Sequence, residues 1–170
     1  TVTIMDDDTA SVGFALASSA TTDEAERDFL VTVTLTTSSA NATLAADTTV
    51  QVANIGGTAA AGADFTAVSL TLTFDASSGN GAALDFALPV HQDNRVEGNE
   101  TVVLELSSPA SPVTLGAPAT RTHTATITDD DTASVAFAAN VPAATGEDLG
   151  DLSVGLTLTT NPTNAVLAAD

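Results

Sequence analysis

The sequence contains no cysteine, lysine, tryptophan or tyrosine. Without cysteine there is no disulfide framework and no thiolate, so disulfide scaffolds, thiol redox chemistry and cysteine-ligated zinc are all excluded. That absence does not choose a compartment. An extracellular domain without disulfides needs another staple, and a bound metal is one option. Positive charge is nearly missing: 3 Lys+Arg, all arginine, stand against 22 Asp+Glu in 170 residues, a formal net charge of −19. Binding to phosphate needs basic contacts, so the composition argues against nucleic acid and against anionic membrane surfaces. No apolar run is long enough to span a bilayer, and no signal peptide is recognisable. Cations are the natural partners of such a chain.

What the chain does contain is alternation. Hydrophobic residues make up 44%, many of them Ala, and the few aromatics are all Phe. Thr and Val fill the alternating runs, which favours strands over helices. Period-2 patterns predict seven strands: Val12, Phe14 and Leu16; Phe29, Val31, Val33 and Leu35; Val50 and Val52; Leu70, Leu72 and Phe74; Leu84, Phe86, Leu88 and Val90; Val102, Leu104 and Leu106; His123, Ala125 and Ile127. Gly, Ser, Asn or Pro clusters separate most of them. The expected fold is all-β, a seven-stranded immunoglobulin-like antiparallel β-sandwich.

The chain also repeats. "TVTIMDDDTASVGFA" at the start returns as "TATITDDDTASVAFA" from Thr124, so that Asp129 falls on Asp6 at an offset of 123. The match continues without a gap, pairing Phe14 with Phe137, Glu24 with Glu147 and Asp28 with Asp151; 27 of 47 aligned positions are identical. Such self-similarity is the signature of a tandem array. The period sets the expected boundaries: residues 1–8 as the tail of a preceding repeat, 9–131 as one complete unit, and 132–170 as the first part of a truncated next copy. That last piece is expected to pack poorly or to borrow partners.

Strand direction then gathers the acids. In an up-and-down sandwich each connection switches poles. One pole receives Asp23, Glu24, Glu26, Asp28, Asp64, Asp93, Glu97, Glu100 and Asp129 to Asp131, while the other receives only Asp47 and Asp75. Two unit charges 4 Å apart repel by about 4 kcal/mol at an effective dielectric of ~20. Protonation relieves such crowding by raising pKa values, and a hard divalent cation relieves it better at neutral pH. Ca²⁺ accepts six to eight oxygens in forgiving geometry, Mg²⁺ demands a stricter octahedron, and zinc wants the Cys or His that are not gathered here.

Three segments in order, "GTAAAGADF" at 57–65, "DNRVEGNETVVLEL" at 93–106 and "TATITDDD" at 124–131, resemble the Calx-beta domain, found in sodium–calcium exchangers, an integrin subunit and large bacterial surface proteins. The resemblance covers residues 9 to 131. It implies a Ca²⁺ cluster at the acidic pole, held by Glu24, Asp64, Asp93, Glu97, Glu100, Asp129, Asp130 and Asp131, with Asn94 able to add a carbonyl oxygen. Calcium-sensing members carry a longer acidic run where this chain has Gln92, Asp93, Asn94 and Arg95, so one to three ions are expected rather than a full cluster.

Plainer readings stand beside these. The triple aspartate could be a solvated linker, but its recurrence and its convergence with three other loops argue against that. Asp64 could merely cap a turn, and residues 93–100 could be an ordinary turn. Asp23, Glu26 and Asp28 read as solvated, His91 and His123 as ordinary strand residues. Asn41-Ala42-Thr43 and Asn99-Glu100-Thr101 match the glycosylation sequon, which matters only in a eukaryotic secretory host. The acidic surface could also reflect a salty habitat. Nothing marks a nucleophile, so no enzyme activity is expected.

Because a new strand is expected directly after Asp131, an ion held there would sit at a junction between repeats. The leading expectation is a calcium-stiffened structural repeat of a large extracellular or cell-surface protein, bacterial by its Ala-rich, Lys-free composition. Such a repeat would serve adhesion or a stalk, with calcium ions, neighbouring repeats and an adhesion target as partners. The alternative is a regulatory Ca²⁺ sensor coupled to a transporter or enzyme elsewhere in the chain.

Overall fold

The computed structural model describes the whole chain except residues 1, 4–6, 19–21, 27, 140–145, 147–152 and 169–170, and the side chains of 22 and 26. Of the repeated acids, Asp6, Glu147 and Asp151 therefore lie outside the described residues, as does the side chain of Glu26. In chain order the strands are β1 (Ala10–Phe14), β2 (Thr22–Asp23), β3 (Asp28–Thr37), β4 (Thr48–Gly57), β5 (Ser69–Phe74), β6 (Ala83–Pro89), β7 (Arg95–Val96), β8 (Glu100–Ser107), β9 (Thr114–Leu115), β10 (Thr122–Thr128), β11 (Thr132–Phe137), β12 (Leu156–Asn161) and β13 (Val166–Leu167). They belong to two compact units. The first comprises Thr1–Gln92 and Asn99–Thr128, the second Asp93–Gly98 and Asp129–Asp170.

The first unit is a β-sandwich. One sheet has the order β6-β3-β1-β9 and the other β2-β10-β8-β4-β5. All seven expected strands are present. Alternation buries one face of each sheet, and Val12, Phe14, Val33, Leu35, Val50, Val52, Leu104 and Leu106 are sealed in a single core. The opposite faces carry Thr, as at Thr32, Thr34 and Thr36 of β3, where β-branching suits the pleat and the hydroxyl suits water. The first strand is shorter than expected. It ends at Phe14, and Leu16 is exposed, because the last backbone bond to β3 is made by Ala15 and the chain then crosses to the other sheet at Ser18 and Thr124. Two-residue strands such as β2 and β9 carry too little alternation to be read from sequence.

The loops at one end of this sandwich are pinned by backbone geometry. Gly57 closes β4 at φ +119°, and a Cβ there would overlap the carbonyl oxygen of Thr101. That oxygen accepts the N–H groups of Thr58 and Ala59 at 2.9 and 3.0 Å. Glycine is thus required for the loop at 58–64 to lie against the start of β8.

The second unit holds two small sheets. β11 and β12 pair antiparallel, and β13 pairs parallel with β7, placing Val166 beside Arg95 and Leu167 beside Val96. Among the described residues no helix is long and apolar enough to cross a membrane.

Candidate metal centre

Three expected ligands belong to the first unit and sit at strand ends. β2 runs parallel to the last residues of β10, matching Asp23 to Thr128, and the chain then enters a 3-10 turn that starts at Glu24. The Asp23 carboxylate accepts the Ala25 N–H at 3.0 Å and caps that turn, which gives this acid a structural role. Glu24 is buried. Glu100 opens β8 opposite Ile127 of β10, so Glu24 and Glu100 lie at the same end of the five-stranded sheet.

Asp64 closes the loop after Gly57. Its carboxylate accepts the Ala60 N–H and its carbonyl accepts the His91 N–H at 2.8 Å. The turn-capping reading of Asp64 therefore holds for one of its oxygens. The His91 ring braces the same loop, with Nδ1 2.9 Å from the Ala63 carbonyl oxygen and Nε2 2.9 Å from Thr66 Oγ1. A carbonyl can only accept, so Nδ1 carries the proton and Nε2 accepts from the Thr66 hydroxyl. Read as an ordinary strand residue, His91 instead follows the end of β6 and positions the Asp64 loop; a lone histidine after a strand gives no sequence signal of this.

The remaining candidates fall in the second unit, brought together from two stretches of chain. Asp129 ties the stretches to each other: one oxygen accepts the Asp131 N–H at 2.7 Å and the other accepts the Glu97 N–H. Asp93 accepts the Arg95 N–H at 2.8 Å, an Asx turn that folds the 93–98 loop back on itself. The Asn94 carbonyl accepts the Val166 N–H at 2.9 Å, which fixes that loop along β13. Arg95 Nε lies 3.1 Å from Glu97 Oε1. This guanidinium competes for a candidate ligand, and sequence alone locates it in the loop without showing which acid it takes.

Asp131 is the most telling member. It is 5% exposed, and its Oδ2 is buried with no hydrogen-bond partner among the described residues. Burial raises its pKa above the usual 3.8, and the charges of Asp129, Asp130 and Asp93 raise it further. An orphaned carboxylate oxygen among like charges is a costly arrangement that a cation would satisfy. The donor set is all oxygen, with no sulfur among the ligands and no imidazole nitrogen to spare from His91. That chemistry suits a hard divalent ion such as Ca²⁺.

An acidic-ended β-sandwich of immunoglobulin type is thus the class that fold and site define. The Calx-beta domain family profile matches residues 5–131, and the chain belongs to that family. Calx-beta domains bind Ca²⁺. Among solved structures, the chain is similar to the apo-form Calx CBD1 domain, at 24% identity and TM-score 0.61 over 72% of this chain and 98% of that one. It is similar also to the calcium binding domain CBD12 of CALX1.1, at 25% identity and TM-score 0.59, covering 70% of this chain but 44% of that one. The Calx CBD2 domain shares the fold at 12% identity and TM-score 0.56. No curated protein matches the chain.

These likenesses correct one expectation. An extracellular or cell-surface parent was expected from the tandem repeat and the thinned acidic loop at 92–95, and a bacterial one from the Ala-rich, Lys-free composition. The solved structures that the chain resembles are instead calcium-binding domains of Calx. The physical reason is that a repeat and a reduced ligand count do not report on the compartment, and a net charge of −19 reports only solubility and cation affinity. A fold that needs no disulfide is as stable in a reducing compartment as in an oxidising one.

Proposed function

We propose that this chain is a regulatory calcium-binding module. The proposed oxygen donors are Glu24, Asp64 and Glu100 in the first unit and Asp93, Asn94, Glu97, Asp129, Asp130 and Asp131 in the second. The carrying observation is Asp131 Oδ2, buried beside Asp129, Asp130 and Asp93 and unpartnered among the described residues. The family match spans all nine residues. When bound, Ca²⁺ supplies the positive charge that lets these carboxylates stay ionised together. Asp129 to Asp131 lie in the peptide that leads from β10 into β11. Occupancy there changes the charge and order of a connecting segment, which is what a module that signals to a neighbouring domain requires. An adhesive role depended on an extracellular parent and is not part of this reading.

Isothermal titration with Ca²⁺ and, separately, Mg²⁺ tests the proposal. Heat is expected with Ca²⁺ and little with Mg²⁺ at equal concentration; no heat with Ca²⁺ refutes it. Dissociation constants of roughly 10⁻⁷ to 10⁻⁵ M mark a sensor. The internal repeat, with 27 identical positions in 47, favours a second reading, a spacer whose units are stiffened by the ion. Constants of ~10⁻⁴ to 10⁻³ M would select it.

A further inference from the structure

Among the described residues, one face of the β11–β12 sheet is apolar and exposed. The register sets Val135 against Leu158 and Phe137 against Leu156. Those four side chains lie on one face and are 50 to 73% exposed, while Ser134, Thr157 and Thr159 occupy the other. An isolated two-stranded pair is marginal in water, and one that presents its apolar face to solvent is more so.

The same pairing occurs a second time in this molecule, with its cover in place. Moved by 123 positions, Val135, Phe137, Leu156 and Leu158 fall on Val12, Phe14, Val33 and Leu35. In β1 and β3, Val12 stands against Leu35 and Phe14 against Val33, the identical register. The bond that follows the pair is also duplicated: Ala138 N–H donates to Gly155 O at 2.9 Å, as Ala15 N–H donates to Thr32 O at 3.0 Å. In the first unit these positions are 0 to 1% exposed, because they share a core with Leu104, Leu106 and Ile127 of the facing sheet.

We infer that the β11–β12 face is the half-site for a second sandwich. Its occupant is an antiparallel sheet with the inward Val/Leu/Ile alternation of β4, β8 and β10, supplied by a second stretch of that repeat sequence in the same chain rather than by another molecule. The inference stands apart from the calcium reading, since it rests on packing and register alone.

The test extends the full chain after Asp170 with a copy of its own residues 48–131, which continues the 123-residue register. Hydrogen exchange at residues 133–137 and 156–160, with the binding of an apolar fluorescent dye, reads the outcome. In the extended chain those amides are expected to reach the protection of β1 and β3, and dye fluorescence should fall several-fold. Val135→Asp with Leu158→Asp should cancel the gain, while leaving the melting transition of the first unit unchanged. Unaltered exchange in the extended chain overturns the inference. So does a 170-residue chain that sediments as a dimer with this face already protected, because the occupant would then be a second copy.

Discussion

At Asp131, burial and the charges of Asp129, Asp130 and Asp93 make the folded protein hold a proton more tightly than the unfolded chain does. The stability this contributes is complete below about 3.8, the unfolded value, and is lost as pH rises through the elevated folded value. Calcium should reverse the balance, since the ionised form then has a partner. Asp131→Asn is therefore expected to raise the melting temperature at pH 7 in chelator and to lower it in millimolar Ca²⁺. Thermal unfolding under both conditions checks this, and a shift of one sign in both would refute the role given to Asp131. Arg95 offers a second residue-scale test. Its ion pair with Glu97 is half exposed and worth at most about 1 kcal/mol. Arg95→Ala should tighten Ca²⁺ by a few-fold, read by titration, and weaker binding would show that Arg95 supports the loop instead. The acids and Arg95 were legible in sequence as residue types. The buried oxygen of Asp131 and the Arg95–Glu97 pairing were not, because both depend on which backbone segment folds over which.

Among the elements, β8 carries most of the architecture, lying between β10 and β4 in the five-stranded sheet. Val102, Leu104 and Leu106 face inward along it with almost no exposure. Leu104→Ala should cost about 2–5 kcal/mol, the range for a large-to-small change in a sealed core. Urea denaturation measures it, and a loss below ~1 kcal/mol would mean the core collapses around the gap. At the end of β4, Gly57→Ala combines a positive φ with overlap of the Thr101 carbonyl. Backbone strain of this kind costs about 1–3 kcal/mol, and here it should also loosen the Asp64 loop. The principal strands were legible because a half-buried sheet imposes period 2 on its sequence. β7 and β13 were not, since two residues cannot show a period and their pairing joins residues 95 and 166.

For the whole molecule, the proposed ion is a ligand of the folded state alone. At 100 times its dissociation constant it should add about 2.7 kcal/mol per site, a large share of a domain's stability. A melting curve that does not move between chelator and saturating Ca²⁺ would remove calcium from the account. The compartment shows the limit of the repeat and of whole-chain composition alike. The charge of −19 pointed correctly to cations, yet it carried no information on which side of a membrane they are met.

From residues alone came the strand pattern, the 123-residue repeat, the family resemblance and the surplus of acid. These are periodicities and totals, which survive in one dimension. Tertiary structure decided the rest: that His91 braces Asp64, that Asp129 ties two loops, that Asp131 buries an unpaired oxygen, and that one repeated register is sealed while the other lies open. Each of these is a distance between residues far apart in the chain. Only the folded backbone sets such distances.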